Sequence, residues 1–338
     1  MNAAPQHPWT AGSGTGVGSL PGADPLEAAK LALGTLPDLA FLPELPARGA
    51  PADLAGRGAA LLHDMPVDLQ PSGWRLVSRS SRDGLRAHDL LRRDVDDLEL
   101  AAGLAGHPPV LKVQATGPWT LVSLLELTRG DKVLADHGAV RDLTSSLAEG
   151  LRLHLADLQV RLPRTTLVLQ LDEPLLPTVL VGDIPTSSGW GRLRVPQEQV
   201  VRERLSEVLA AAEHTVAHCC TPRPPVALFQ RAGARALSLD ATLLTPRDDD
   251  ALGEAVEAGL GLLLGCVPST DAALPEPQRT LEPARALWRR LGLDPRLAAA
   301  SVVVTPTCGL AGASPSYARL ALERCVEAGR LLREESGG

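Results

Sequence analysis

Short aliphatic runs bounded by Gly and Pro recur along the chain, separated by longer segments rich in Ala, Leu, Arg and Glu. Runs of this kind predict strands, and the longer segments have the spacing of helices. The predicted strands are residues 15–20, 39–44, 110–116, 166–172, 214–220, 236–240, 262–267 and 301–305. Strands that alternate with helices pair in parallel, and eight of them can close on themselves. We therefore predict an α/β protein, a single (β/α)8 TIM-type barrel.

The spacing is uneven after the second predicted strand. The segment 45–109 is too long for a single crossover connection between strands. It contains helix candidates at 53–62 and 83–104 and a hairpin candidate around 71–78. We predict a helical and hairpin insertion at 45–109 within a single catalytic domain, 1–338. Residues 174–195 and 268–283 predict long loops over one face of the barrel.

Polar residues end almost every predicted strand. In chain order they are Ser19, Glu44, Thr116, Asp172, His218 with Cys220, Asp240, Cys266 and, just after the last strand, Cys308. The carboxyl ends of the strands in a parallel barrel meet on one face, where barrel enzymes carry their active sites. We therefore expect these side chains to line one site.

The sulfur and nitrogen groups predict a metal site. His218 and Cys220 are two residues apart, so they point to the same side of a strand, whereas Cys219 faces the other side. With Asp240 and Cys308 they make a set of one imidazole, two thiolates and one carboxylate, which zinc matches best. Ligands from separate strand ends favour a catalytic site over a structural one. The alternative is that these cysteines are inert core residues.

Two carboxylates complete the candidate site. Asp172 and Glu173 are adjacent at the end of a buried-type strand, so only one of them points into the barrel mouth. Asp172 shares its phase with Gln170, and we predict that it is the one; the alternative is a capping or loop acid. Glu44 lies between two prolines at the end of its strand, and taken alone it is an ordinary surface acid.

Composition argues against several classes of protein. The chain has 33 Lys and Arg against 40 Asp and Glu, a net charge of −7, which argues against a nucleic-acid partner. The absence of a long apolar run or a leader pattern predicts a cytoplasmic protein with no membrane association. Five cysteines do not suit a disulfide framework, and we predict that Cys219 and Cys325 are packing residues.

Six short motifs, in order, resemble the C-terminal catalytic domain of cobalamin-independent methionine synthase. They are GVGSLP at 16–21, LPE at 42–44, TGPWT at 116–120, QLDEP at 170–174, HCC at 218–220 and TCGL at 307–310. The resemblance implies a barrel in which zinc activates the thiol of homocysteine for methylation to methionine. It also leaves Trp119 either near the substrate mouth or in the core.

The resemblance also implies roles for individual residues. It implies zinc ligands at His218, Cys220, Asp240 and Cys308, a carboxylate site at Gly18 and Ser19, and ammonium partners at Glu44 and Asp172. The residue chemistry agrees, since fixed carboxylates suit an ammonium and backbone N–H groups suit a carboxylate. Only a thiolate is a good nucleophile, and coordination to zinc removes the thiol proton. No catalytic residue beyond the metal site is predicted.

The sequence departs from the family pattern in three places. It has no room for the additional N-terminal half of full-length members, and Asp240 replaces the usual glutamate ligand. The histidine that protonates the folate leaving group has no counterpart at 265–270. Displacing a methyl group from a corrinoid needs no such acid. We therefore expect methylcobalamin, a methyl-corrinoid protein or another donor to supply the methyl group, more than methyltetrahydrofolate.

Two other functions remain open at this point. One is a related barrel methyltransferase, or a uroporphyrinogen decarboxylase-like enzyme, that acts on another thiol. Glu44 and Asp172 distinguish this case, because a thiol without an ammonium group does not need both. The other is a non-catalytic zinc-binding homologue.

Overall fold

The computed structural model describes residues 7–337, so the ends of the predicted domain, residues 1–6 and 338, lie outside the described residues. The strands are β1 Ala40–Phe41, β2 Val67–Gln70, β3 Gly73–Leu76, β4 Val110–Thr116, β5 Thr166–Asp172, β6 His214–Cys219, β7 Ala236–Asp240, β8 Gly261–Val267 and β9 Val302–Pro306. The predicted boundaries of β4, β5 and β7 are confirmed.

The α-helices follow the strands and flank them. They are α1 Pro25–Thr35, α2 Leu54–Ala60, α3 Arg82–Ala105, α4 Pro118–Leu124, α5 His137–Arg161, α6 Leu176–Leu180, α7 Glu198–Leu209, α8 Val226–Ala232, α9 Asp249–Glu257, α10 Pro277–Thr280, α11 Glu282–Leu291, α12 Ala298–Ser301 and α13 Pro315–Gly337. Short 3-10 helices lie at Pro46–Arg48, Ala50–Ala52, Val133–Ala135 and Pro295–Leu297.

Local sequence sets the ends of the longer helices. The side chains of Asp24, Ser81 and Asp136 accept hydrogen bonds from backbone N–H groups in the first turns of α1, α3 and α5. Gly106 ends α3 with a φ of 96°, a conformation that glycine adopts without steric cost. No helix among residues 7–337 combines the length and apolar character needed to cross a membrane.

Seven strands form one parallel sheet in the order β1-β4-β5-β6-β7-β8-β9. Residues 13–20 join both edges of this sheet, since Gly14 pairs with Val304 of β9 and Ser19 pairs with Glu44. The predicted strand 39–44 is reduced to β1, because Pro43 has no N–H group to continue the ladder. The parallel α/β fold is confirmed, and the curled sheet is consistent with a TIM-like barrel.

Residues 45–109 contain the elements that their sequence pattern predicts. The helix candidates correspond to α2 and α3, and β2 and β3 form an antiparallel hairpin in which Gln70 pairs with Gly73. Gly73 has a φ of 128°, which favours glycine after the tight turn. Helix α3 packs against α1 and α2, so this region lies beside the first sheet edge.

A separate cluster of buried apolar side chains packs inside the curled sheet, near the beginning of the strands. Its members, which we call the apolar layer, are Trp9, Leu39, Val110, Val168, Val216, Ala236, Leu263 and Val303. Most of them come from different strands of the one sheet, as expected for a filled barrel interior.

Candidate metal centre

The end of β6 presents two of the predicted ligands. His218 and Cys220 share one side of the chain, and His218 is buried while Cys220 is half-buried. Cys219 is buried on the opposite side, where its Sγ lies 3.2 Å from the hydroxyl oxygen of Thr221. The alternation expected for a strand therefore separates the candidate ligands from the core cysteine.

Cys308 reaches the same place from the turn after β9. Its Sγ lies 3.3 Å from the Sγ of Cys220. The ligand atoms of His218, Cys220 and Cys308 all lie within 4.8 Å of one another, so a single ion can contact the three. The turn that carries Cys308 is held by the N–H of Leu310, which donates to the carbonyl of Ser19 over 2.9 Å.

The charge state of this group suits a thiophilic metal. Hydrogen bonds from the Cys220 thiol and from His218 lower the pKa of Cys308, which favours the thiolate form of this sulfur. The same contact and burial raise the pKa of Cys220 well above its usual value. Cysteine thiolates and an imidazole are donors that structures use for zinc, and the three residues fit such an ion once both thiols are deprotonated.

The orientation of the His218 ring also fits metal binding. Its Nδ1 lies 2.9 Å from the Oγ and 3.1 Å from the carbonyl oxygen of Ser238. This contact leaves Nε2 for a ligand, and histidines that bind metals are commonly held through their other nitrogen in this way. Ser238 was missed from the sequence, although it precedes Asp240 by two residues on the same side of β7.

Asp240 lies outside the three-residue group. Its Oδ1 accepts hydrogen bonds from the backbone N–H of Thr242 over 2.9 Å and from the Thr242 hydroxyl over 2.6 Å. The carboxylate is thus engaged with its own turn. Its role as the fourth zinc ligand stays a prediction.

The two adjacent acids after β5 face different surroundings. The Asp172 carboxylate accepts a hydrogen bond from the Gln170 side-chain amide over 2.7 Å. Glu173 accepts from the N–H groups of Trp119 and Thr120 and from the Thr120 hydroxyl, at the beginning of α4. Burial raises the pKa of each carboxyl group to about 7. Asp172 therefore shares the side of Gln170, and Glu173 has a capping role.

Glu44 belongs to a buried network of charges. Its Oε1 accepts from the Nε of Arg57 over 3.1 Å, and Arg57 also pairs with Asp94 of α3. Asp94 in turn binds both terminal nitrogens of Arg48, over 2.7 and 2.8 Å. Arg48, Arg57 and Asp94 were missed, because nothing in their spacing indicates that three separate helical segments bring them to Glu44.

Gly18 and Ser19 lie between Glu44 and the cysteine turn. The N–H of Glu44 donates to the Gly18 carbonyl over 3.1 Å, and the Ser19 carbonyl accepts from Leu310. Glu44 in turn is close enough to Asp172 to oppose its ionisation, which raises the pKa of Asp172 further. Ser19 thus contacts the turn that carries Cys308, and Gly18, Glu44 and Asp172 follow at the carboxyl ends of neighbouring strands.

Lys112 is a second functional candidate that the sequence pattern did not reveal. It lies within β4 and is fully buried, with its Nζ 2.7 Å from the carbonyl oxygen of Val17 and 5.5 Å from the Phe41 ring centre. Burial lowers its pKa to about 7, and the nearby Asp172 and Glu44 act in the opposite direction.

A parallel α/β fold with thiols and an imidazole grouped at its strand ends is typical of metal-dependent barrel enzymes. Residues 100–331 match the family described as "Cobalamin-independent synthase, Catalytic domain". This range is more than half of the chain, so the chain belongs to that family. The predicted family resemblance is confirmed, and the protein is a methyltransferase of the methionine synthase type. The match contains Asp172 and the candidate metal ligands, whereas Gly18, Ser19 and Glu44 precede it.

Solved structures support the fold. A B12-independent methionine synthase from Shewanella sp. W3-18-1, in complex with selenomethionine, aligns with a TM-score of 0.63 at 12% identity. The alignment covers 96% of this chain and 99% of that one. GH5_18 from Streptomyces cattleya, with GlcNAc, aligns over 96% of this chain and 82% of its own at 15% identity, but its TM-score of 0.40 supports no inference. A comparison with curated protein sequences finds no match.

Proposed function

We propose that this protein is a zinc-dependent methyltransferase that methylates the thiol of homocysteine to form methionine. The main support is the convergence of His218, Cys220 and Cys308 within 4.8 Å of one another. These residues come from two separate strand ends, and carboxylates for an amino-acid substrate lie beside them. The family match gives the reaction type, and the donor set favours zinc.

We also propose a complete barrel architecture. Residues 13–20 are the first strand of a closed (β/α)8 barrel, supported by their bridges to Val304 and Glu44 at the two sheet edges. Residues 45–109, with the β2–β3 hairpin and α3, are an insertion after the second strand. The whole chain, 1–338, is then a single catalytic domain.

His218, Cys220 and Cys308 would hold the zinc ion, with Asp240 as the proposed fourth ligand. A bound zinc ion supplies the Lewis acidity that lowers the pKa of a substrate thiol and keeps it as a nucleophilic thiolate. The protein contributes the orientation of His218 through Ser238 and a thiolate at Cys308. Because two thiolates leave the centre electron-rich, a sulfur held beside them would keep its nucleophilicity.

The amino-acid end of homocysteine would bind next to the thiols. Glu44 and Asp172 would accept hydrogen bonds from the ammonium group, and an ammonium at this position favours the charged form of Asp172. Backbone N–H groups at Gly18 and Ser19 would bind the carboxylate. Arg57 holds Glu44 from the side of the insertion, and within residues 7–337 its contact engages one of the two carboxylate oxygens.

We further propose a methyl-corrinoid as methyl donor. The substrate thiolate takes the methyl group, and the cobalt leaves with the bonding electron pair as Co(I), so no proton is transferred. Methyltetrahydrofolate, in contrast, leaves as an amine that must be protonated. Residues 265–270 contain no imidazole, and burial raises the pKa of Cys266 to about 12, so its thiol is a poor acid.

Two measurements test these proposals. Elemental analysis should give about one zinc per chain, and calorimetry on the zinc-loaded protein should show homocysteine binding. Zinc without homocysteine affinity indicates a binding homologue or another thiol substrate, and the absence of zinc contradicts both. Single-turnover assays with equal concentrations of each donor should be faster with methylcobalamin. Faster methylation from methyltetrahydrofolate would overturn the proposed donor.

A further inference from the structure

Three side-chain nitrogen atoms converge on one backbone carbonyl inside the sheet. The Val17 oxygen accepts from Lys112 Nζ over 2.7 Å, from Gln114 Nε2 over 3.2 Å and from Gln170 Nε2 over 3.0 Å. All three donors are buried. They come from the adjacent strands β4 and β5, whereas Val17 belongs to the segment that joins the two sheet edges.

This convergence is more than packing requires. A carbonyl oxygen has two lone pairs, so three donors exceed its usual capacity. Burying an ammonium group is costly unless it is paired, and an apolar side chain would fill the same space without that cost. The arrangement therefore indicates a specific role for the peptide that Val17 shares with Gly18.

The N–H side of this peptide belongs to the proposed carboxylate site. A trans peptide directs its C=O and N–H in opposite directions, so the Gly18 N–H points away from Lys112. Among residues 7–337, the N–H groups of Gly18 and Ser19 donate no hydrogen bond to a protein acceptor. Donors at a carbonyl polarise its peptide and strengthen the N–H as a donor. Both groups are thus free and prepared for an anion.

Gly18 itself fits this close arrangement. A Cβ at this position would lie 2.6 Å from Nε2 of Gln114, closer than real contacts allow. The backbone thus approaches the Gln114 side chain closely, and a larger residue at this position would require that side chain to move.

We propose that Lys112 is a positioning residue which, together with Gln114 and Gln170, holds the Val17–Gly18 peptide so that its N–H side binds the carboxylate of the amino-acid substrate. This inference rests on the proposed function, because it assumes that the substrate carboxylate binds at Gly18 and Ser19. Lys112 does not touch the substrate itself.

The test compares two thiols that differ only in the carboxylate. Homocysteine and its decarboxylated analogue 3-aminopropane-1-thiol are titrated into the zinc-loaded wild type and into Lys112→Met, which keeps the length and removes the charge. We expect the homocysteine Kd and KM to rise about tenfold or more in the variant, with kcat within about twofold. Affinity for the analogue should change little.

Two further variants keep the test decisive. Gln114→Met should show the same selective loss for homocysteine at smaller size, and it serves if Lys112→Met does not fold. Thr144→Val is the matched control, because it removes a buried hydroxyl whose hydrogen bond lies within α5, to the carbonyl oxygen of Val140. An equal loss for both thiols in the variants overturns the inference while the function stands. A wild type that binds neither thiol overturns the proposed function instead.

Discussion

Two layers of side chains inside the sheet come from the same strands but differ in polarity. The apolar layer near the beginning of the strands contains only hydrocarbon and indole groups. Two residues further along five of those strands, on the same side, stand Lys112, Gln170, His218, Ser238 and Thr305, all of them buried. The strand periodicity directs both layers into the interior, so burial alone does not explain why one layer is polar. The polar layer differs in that it lies next to the candidate metal and substrate residues.

The polar layer is stabilised only in part by its own contacts. Lys112 reaches Val17, Gln170 reaches Asp172 and His218 reaches Ser238. Within residues 7–337, however, the side-chain oxygens of Gln170 and Thr305 have no hydrogen-bond partner. Unsatisfied polar atoms cost stability, so the polar layer reduces stability whereas the apolar layer supplies it. The comparison predicts that substitutions in the two layers have separable effects.

The largest effect on activity is expected above the polar layer, at the thiols. Cys308→Ser removes the thiolate, so turnover should fall by more than about a hundredfold and bound zinc should decrease. The free energy of unfolding of the metal-free protein should change little, because Cys308 lies in a half-buried turn. Cys325→Ala is the control, since it removes a buried thiol in α13 away from the group. Retained turnover in Cys308→Ser would contradict the ligand role.

Leu263→Ala in the apolar layer should lower stability and leave zinc and homocysteine binding intact, which is the reverse of the effect expected for Cys308→Ser. The side chain is fully buried, so its truncation leaves a cavity and should lower the free energy of unfolding by about 2–5 kcal/mol. Zinc content and homocysteine affinity, measured well below the unfolding temperature, should be retained. Leu104→Ala on α3 is the control, because that side chain is 73% exposed and should change stability by less than about 0.5 kcal/mol. Loss of zinc binding in Leu263→Ala would show that the layers are coupled.

The sequence predicted the positions of the strands better than it predicted which buried polar side chains within them contact each other. Runs such as 166–172 define their strands by apolar continuity and flanking turns, and period two alone separates Cys220 from Cys219. Lys112 was not predicted, because a lysine in an apolar run has no local signal of its partner Val17, which is distant in the chain. The contact of Arg57 with Glu44 depends on how α2 packs, which local pattern does not determine.

The weakest expected effect concerns a histidine at the base of the apolar layer. The His7 ring stacks on Trp9, with centroids 4.7 Å apart and planes 6° apart. Burial, and to a smaller extent the nearby His214, lowers the pKa of His7 from 6.5 to about 4. Between these two pH values the unfolded chain binds a proton on this side chain and the folded protein does not. Its contribution to stability is therefore complete above about pH 6.5 and is lost as the pH falls towards 4.

Replacing this histidine should weaken the dependence of the free energy of unfolding on pH. His7→Leu cannot titrate, so its free energy of unfolding should fall less between pH 7 and pH 4.5 than that of the wild type, in urea titrations of the metal-free protein. His107→Leu, at an exposed position, is the matched control and should keep the wild-type slope. Identical slopes for His7→Leu and the wild type would show that the apolar layer does not restrict protonation of His7. In that case the apolar layer would differ from the polar layer only in how its side chains pack, and not in an effect on protonation.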